Sequence, residues 1–191
     1  IEGKIQAIEF ARTGGVPFFG ICLGMQLAVI ESARHVCGLT EASSAEFTPQ
    51  GSTNVIDLME SQKSVTDLGG TMRLGAYECQ ILGKHAGKST KAFLAYGKEK
   101  ISERHRHRFE VSNVLRPKIE GRDLIVSGKN IGKDSKTELV EMIELADHPW
   151  FLGCQFHPEF LSTPLTPHPL FAAFIKAARE LRKGVQGTLL R

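Results

Sequence analysis

Hydrophobic and polar positions change period along this chain, and the changes mark its elements. Ile1, Ile5, Ile8 and Ala11 or Arg12 recur at helical spacing and stop at Gly14-Gly15. That spacing predicts an amphipathic helix packed on a sheet, with glycine at its C-terminus. Residues 16–21 form an apolar run rich in aromatic and β-branched side chains, the pattern of a buried strand. From Leu23 to about Arg34 the apolar positions read as a second helix, closed by Gly38. Residues 40–53 are polar and turn-rich. Residues 55–59 and 71–82 read as strands, with turns at Gly69-Gly70 and Gly75.

Further on, the lysines at 84, 88, 91, 98 and 100 make residues 83–100 an exposed loop with one short helical turn, a solvated face rather than a binding patch. Residues 104–108 alternate arginine and histidine, so on a strand the two types would occupy opposite faces. Residues 114–121 suggest a short helix containing Pro117, residues 123–127 a strand, and residues 128–136 a polar hairpin-like loop. Over residues 138–145, Leu139, Glu141, Ile143 and Leu145 alternate with Val140, Met142 and Glu144, which predicts another strand. Residues 150–156 read as a strand too. The stretch 170–181 reads as a closing amphipathic helix with Phe171, Phe174, Ala178 and Leu181 inward, followed by a frayed tail over 183–191. This order predicts an α/β fold in one domain over residues 1–191. It has an open, mostly parallel central sheet, helices on both faces and an antiparallel hairpin extension.

Composition narrows the class only a little. With 191 residues, 41% hydrophobic and 24% charged, the chain has the makeup of an ordinary globular domain able to bury a core. A net charge of +3 is too small to argue for a nucleic-acid or membrane partner. The cysteines at 22, 37, 79 and 154 show no C-x-x-C spacing, and a reducing, cytoplasmic compartment fits them best. No metal-ligand spacing is present among the histidines. No apolar run reaches membrane-spanning length and no signal peptide is visible. The chain begins at Ile1, inside a helix, which suggests a piece of something longer.

Candidate chemistry is concentrated in two stretches. The first is Gly20-Ile21-Cys22-Leu23-Gly24, at the join between the expected strand and helix. Glycines two residues either side of a nucleophile are the pattern of a strained strand-to-helix elbow, here with cysteine in the serine position. The following helix N-terminus is expected to favour a thiolate and a developing oxyanion. A buried cysteine in an ordinary βα turn has the same local pattern. The second stretch, Cys154-Gln155-Phe156-His157-Pro158-Glu159-Phe160, offers a histidine and a carboxylate two residues apart. In an extended segment they would point the same way, leaving one imidazole nitrogen as a base. Together the stretches contain the parts of an activated nucleophile: Cys22, His157 and an orienting Glu159.

The stretch from Pro17 to Gln26 and the His-Pro-Glu stretch resemble the signatures of class I glutamine amidotransferase domains. Gly69-Gly70-Thr71-Met72-Arg73-Leu74-Gly75, the block from Glu103 to Val111 and His157-Pro158-Glu159-Phe160-Leu161-Ser162 resemble the glutaminase domains of CTP synthases, along nearly the whole chain. The resemblance implies that Cys22 attacks the side-chain amide of glutamine, His157 moves the proton, and Glu159 orients His157. It further implies that the Leu23 N–H steadies the oxyanion, that Glu46 holds the α-amino group and Arg108 the α-carboxylate, and that Gly24, Met25, Gln26 and Phe109 complete the glutamine site. Composition alone would leave Glu46 in a solvated loop.

By the same resemblance, the partners are L-glutamine and an N-terminal synthetase domain that receives ammonia and aminates UTP to CTP. ATP and magnesium belong to that other domain, and no cofactor or metal is implied in this one. The other arginines and histidines of 104–108 would face the synthetase domain, and the full-length enzyme would be a homo-oligomer, a tetramer. The family's second oxyanion donor comes from a glycine-rich loop ahead of a helix that starts as Ile1-Glu2-Gly3-Lys4 does. These residues alone would therefore turn over slowly. Two other readings remain open: a cysteine peptidase or γ-glutamyl hydrolase sharing the triad, and a nucleic-acid or protein-binding module centred on residues 103–111.

Overall fold

The computed structural model describes residues 1–58, 72–121, 123–132 and 137–189. The Gly69-Gly70 turn and Thr71 lie outside them, as do the expected strand end at residue 59, residues 133–136 of the polar loop and the last two residues. In chain order come α1 (Glu2–Gly14), β1 (Phe18–Ile21), α2 (Leu23–His35), β2 (Ser43–Ser44) and β3 (Asn54–Asp57). Next are β4 (Arg73–Ile81), β5 (Lys84–His85), β6 (Lys88–Ser89), α3 (Lys91–Tyr96), β7 (Lys100–His107) and β8 (Glu110–Val111). Then follow α4 (Arg116–Ile119), β9 (Leu124–Ile131), β10 (Glu138–Leu145), β11 (Phe151–Cys154), a 3-10 turn (Pro158–Leu161) and α5 (Pro169–Leu189).

A six-stranded sheet in the order β1-β11-β10-β9-β4-β7 divides the interior into two cores. On one face, Ile5 and Ile8 of α1 and Met25, Leu27, Ala28 and Ile30 of α2 meet Phe151 and Ile143. On the other, Leu152, Cys154, Phe156 and Trp150 meet Ala92 of α3 and Leu170 of α5. Adjacent residues such as Phe151 and Leu152 thus serve opposite cores, as the two-residue strand period requires. The expected α/β layering, with helices on both faces, is present. Gly15 ends α1 in the left-handed region at φ 65, its N–H returning to the Ala11 carbonyl. The inner face of α2 is closed off by Arg12, which donates from Nε and Nη2 to the wholly buried Glu31 at 2.7–3.0 Å.

Several expectations are corrected. Among the described residues the parallel part of the main sheet is the β1–β11 pair, and its other four pairings are antiparallel. A parallel neighbour needs a crossover of a dozen or more residues, and beyond β4 the helices α3 and α4 have six and four. Instead of a loop from residue 128, β9 continues to Ile131 and pairs with Glu138. The regular alternation expected along β10 is broken, because the register skips Glu141 between Val140 and Met142. Such a bulge re-aims one side chain. In α5, Leu181 is exposed while Leu170 is buried, and the helix runs on to Leu189 where a frayed tail was expected. No helix among the described residues is long and apolar enough to cross a membrane.

Candidate active site

Cys22 stands at the break between β1 and α2. Its φ of 51 and ψ of −105 lie where a side-chain-bearing residue is strained. Two backbone bonds hold it there: Cys22 N–H donates to Cys154 O at 2.7 Å, and Gln26 N–H donates to Cys22 O at 3.1 Å. The two flanking glycines play different parts. A Cβ on Gly20 would sit 2.7–2.9 Å from the backbone of Gly24 and Met25, whereas one on Gly24 would meet nothing within 4 Å. The elbow therefore needs glycine at 20 and has room at 24.

Parallel register places Ile21 opposite Cys154, so the cysteine lies alongside the strand that leads to His157. His157 is anchored by its own N–H to Arg104 O at 2.8 Å. Its Nδ1 lies 2.6 Å from Glu159 Oε1. The expected pair forms, but not in an extended segment: Pro158 opens a 3-10 turn, and the turn brings Glu159 back to the ring. With Glu159 as acceptor, Nδ1 carries the hydrogen and Nε2 of a neutral ring is left bare.

Burial pushes the Cys22 thiol up to about 11; the Leu23 N–H works against this, and the carboxylates of Glu159, Glu46 and Glu110 add to it. The helix N-terminus does not by itself produce a thiolate here. Desolvation of the sulfur outweighs one N–H bond, so the site needs a base.

A cavity of about 270 Å³ opens at the sulfur, walled by Cys22, Leu23, Gln26, Glu46, Met72, Arg106, His107, Arg108 and Phe109. Six of the expected residues meet there: Cys22, Leu23, Gln26, Glu46, Arg108 and Phe109. Gly24, Met25, His157 and Glu159 are not in its wall, and Met25 is wholly buried beneath the elbow. Glu46 is held at the rim by its N–H bond to Ser44 Oγ at 3.2 Å. An acid and a guanidinium on one small cavity suit a ligand with both an ammonium and a carboxylate.

The Arg-His alternation is resolved as well. Arg104 and Arg106 are exposed on the edge strand β7, while His105 and His107 are buried beneath it, so the histidines do not face outward as expected. The apolar side of that strand already includes Ile101, and period two carries the histidines to the same side. Gln155 was also missed. It is buried, donates from Nε2 to Cys22 Sγ at 3.6 Å, and accepts from Gln26 Nε2 at 3.1 Å. A glutamine at the end of an apolar strand, two residues before the histidine, was the available signal. Among the described residues no group of three His, Cys, Asp or Glu is placed to hold a metal ion.

The strained cysteine elbow, the histidine–glutamate pair and the α/β layers define the class. The family model Glutamine amidotransferase class-I matches residues 1–177, and the chain belongs to that family. The chain is 59% identical over 94% of its length to CTP synthase of Geobacter sulfurreducens, and 55% identical over 98% to that of Moorella thermoacetica. It spans about a third of the length of these curated relatives, 32% and 33%. Among solved structures it is similar to the Trypanosoma brucei CTPS glutaminase domain with bound acivicin, with a TM-score of 0.84 and 36% identity, covering 94% of this chain and 66% of that one. A putative GMP synthase component from Thermoplasma acidophilum shares the fold alone: TM-score 0.58, 16% identity, 97% and 68% covered.

Proposed function

We propose that this chain hydrolyses L-glutamine to glutamate and ammonia, as the glutaminase part of a CTP synthase. The observation that carries the reading is Cys22, strained at φ 51 beside the strand that delivers the His157–Glu159 pair. Glutamine enters the cavity with its α-carboxylate toward Arg108 and its α-ammonium toward Glu46. The Cys22 sulfur attacks the side-chain amide carbon as His157 Nε2 takes the thiol proton. The Leu23 N–H steadies the tetrahedral oxyanion. His157 then gives its proton to the leaving nitrogen, so ammonia departs and a thioester remains. Water adds to the thioester, His157 takes its proton, and glutamate leaves as the thiol is restored. In the longer protein the ammonia passes to a synthetase domain that aminates UTP with ATP, in an oligomeric, cytoplasmic enzyme.

The test is glutamate release from glutamine, before and after brief alkylation with the labelled cysteine located by mass spectrometry. Fast labelling confined to Cys22 with loss of hydrolysis is expected: Cys79 and Cys154 are buried and burial raises their thiols, and the half-buried Cys37 donates to Ile119 O at 3.8 Å and stands outside the cavity. Equal labelling of Cys154, or faster cleavage of a γ-glutamyl peptide than of glutamine, would count against it.

Arg108→Ala is expected to raise KM for glutamine by about one to two orders of magnitude with kcat little changed. A carboxylate clamp acts on ground and transition states alike, so its loss is one of uniform binding. A collapse of kcat at constant KM would move Arg108 from binding to chemistry.

A further inference from the structure

Behind the cavity wall lies a buried chain of polar groups that the proposed chemistry does not use. Arg73 of β4 donates from Nη1 to Glu110 Oε1 at 2.9 Å and from Nη2 to Glu141 Oε1 at 2.8 Å. The second oxygen of Glu141 lies 3.5 Å from His105 Nε2. His105 Nδ1 meets His107 Nε2 at 2.9 Å, and His107 Nδ1 meets the carbonyl of Phe109 at 3.2 Å. That carbonyl also accepts from Gln26 Nε2 at 3.0 Å, and Gln26, His107, Arg108 and Phe109 all line the cavity. Glu141, Glu110, His105, His107 and Arg73 are all at least nine-tenths buried.

Counting hydrogens decides the state of this chain. Three contacts join the Phe109 carbonyl, the two rings and Glu141, and each needs one hydrogen between its atoms. A neutral imidazole brings one hydrogen, so two rings supply two. The carbonyl can only accept, which forces Nδ1–H on His107, then Nδ1–H on His105, and leaves His105 Nε2 bare. A bare nitrogen and an ionised carboxylate oxygen 3.5 Å apart, both on wholly buried side chains, are two acceptors facing each other. Among the described residues His105 Nε2 and Glu141 Oε2 have no hydrogen-bond partner, and each is the polar atom the other faces at 3.5 Å. The missing hydrogen sits either on Glu141 or on a ring that becomes a cation.

Charge favours the carboxyl. With the proton on Glu141 the buried charges are one cation, Arg73, and one carboxylate, whereas a protonated ring leaves two cations and two carboxylates buried, and each buried charge is costly to desolvate. Facing these groups are Arg73, Tyr77 and Cys79 of β4, His105 and His107 of β7 and Glu110 of β8, with His157 beyond β11. Burial and the Arg73 charge hold both imidazoles well below the usual range, and burial lifts both carboxyls above theirs against the pull of Arg73. Burial lifts the Glu110 carboxyl further than that of Glu141, but geometry decides between them. The free oxygen of Glu141 faces His105 Nε2, that of Glu110 has no ring nitrogen opposite it among the described residues, and Glu141 stands at the residue that the β10 register skips.

We propose that Glu141 is held as a protonated carboxylic acid and acts as a positioning residue, donating to His105 so that the two imidazoles in series fix the Phe109 carbonyl, and with it Gln26 and Arg108, on the cavity wall. Raising the pH removes the hydrogen from Glu141 and leaves two acceptors opposed. The wall loosens, and KM for glutamine climbs on the alkaline side more than kcat falls. This consequence for glutamine rests on the glutaminase reading; the placement of the proton does not.

The test uses the intact protein. Histidine ¹⁵N spectra report which ring nitrogen carries hydrogen, and both His105 and His107 are expected neutral with hydrogen on Nδ1. Infrared difference spectra are expected to show the carbonyl stretch of a protonated acid in the wild type, lost in Glu141→Gln. The glutamine side-chain amide can still donate to His105 and accept from Arg73. Glu141→Gln should therefore keep KM within about threefold and abolish its alkaline rise, while Glu141→Leu should raise KM by about tenfold or more. An imidazolium, hydrogen on Nε2 of either ring, or an acid band unchanged in Glu141→Gln would each overturn the proposal. The wild-type spectra decide it even where a variant does not fold. The expected spectra in a protein without glutaminase activity would support the proton placement and overturn the function proposed above.

Discussion

Replacing His157 with alanine is expected to lower glutamine turnover by about 10²- to 10⁴-fold and to confine the reactivity of Cys22 to alkaline solution. The reason lies in the sulfur. Burial puts its pKa at about 11, so at pH 7 an unassisted thiol is four units below its pKa, and about one in ten thousand is a thiolate. Neither the Leu23 N–H nor the N-terminus of α2 reverses that. What makes the sulfur reactive at neutral pH is then a base that takes its proton during attack, and His157 is the candidate with a bare nitrogen. Without it, alkylation of Cys22 should rise about tenfold per pH unit until close to pH 11, since the thiolate fraction does so below the pKa. In the wild type that slope should be much shallower between pH 6 and 9. Glu159→Ala should cost less than His157→Ala, because it loosens the ring without removing the base. Cys22→Ala should leave no burst of ammonia at all. An alanine variant at 157 whose alkylation rate and turnover at pH 7 matched the wild type would remove His157 from the mechanism.

The parts of the site that could be read from the sequence were those carried by short local patterns. Glycines around Cys22 predicted the elbow, and His157 with Glu159 two residues later predicted their pairing, although the pair closes through a 3-10 turn and not along a strand. Glu46 and Arg108 were legible only through the family resemblance, because a lone acid in a polar loop and an arginine in a basic run have no period that marks them. His105, His107, Gln155 and Glu141 stayed hidden for a different reason. Alternation shows that two sets of residues share opposite faces of a strand, but not which face is covered, and on β7 the histidines went under. At Glu141 the alternation itself is broken by the bulge, a feature set by pairing with β9 and absent from the residue order. The parallel content of the sheet was overestimated for two reasons: β4, β7 and β9 are separated by gaps that a helix or a hairpin could equally fill, while β9, β10 and β11 follow one another too closely for any crossover, a signal that the strand-like runs did carry.

Gly20→Ala is expected to be the most destabilising single substitution at the site, although it touches neither substrate nor the reacting atoms. Its new methyl group would lie 2.7 Å from the Gly24 carbonyl carbon, 2.8 Å from the Gly24 oxygen and 2.9 Å from the Met25 nitrogen. All three are backbone atoms of the first turn of α2, so no side chain can swing aside. The helix must move, or β1 must leave its parallel pairing with β11. Either displacement pulls at Cys22, which already sits at φ 51 and is held by a 2.7 Å bond to Cys154 O. Overpacking against fixed backbone of this kind costs about 3 kcal/mol or more. In a domain of this length that lowers the melting temperature by about 6–12 °C. Gly24→Ala is the control. It leaves the same motif with one glycine fewer, but its methyl group meets nothing within 4 Å and its position lies inside α2, where alanine is the better helix former by about 1 kcal/mol. Thermal melts should therefore separate the two variants sharply, with Gly24→Ala at or above the wild type. Alkylation should rank them the same way, slow and unselective in Gly20→Ala because the sulfur is no longer presented at the cavity. If both variants melted together near the wild type, the close approach of β1 and α2 would not be what shapes the elbow.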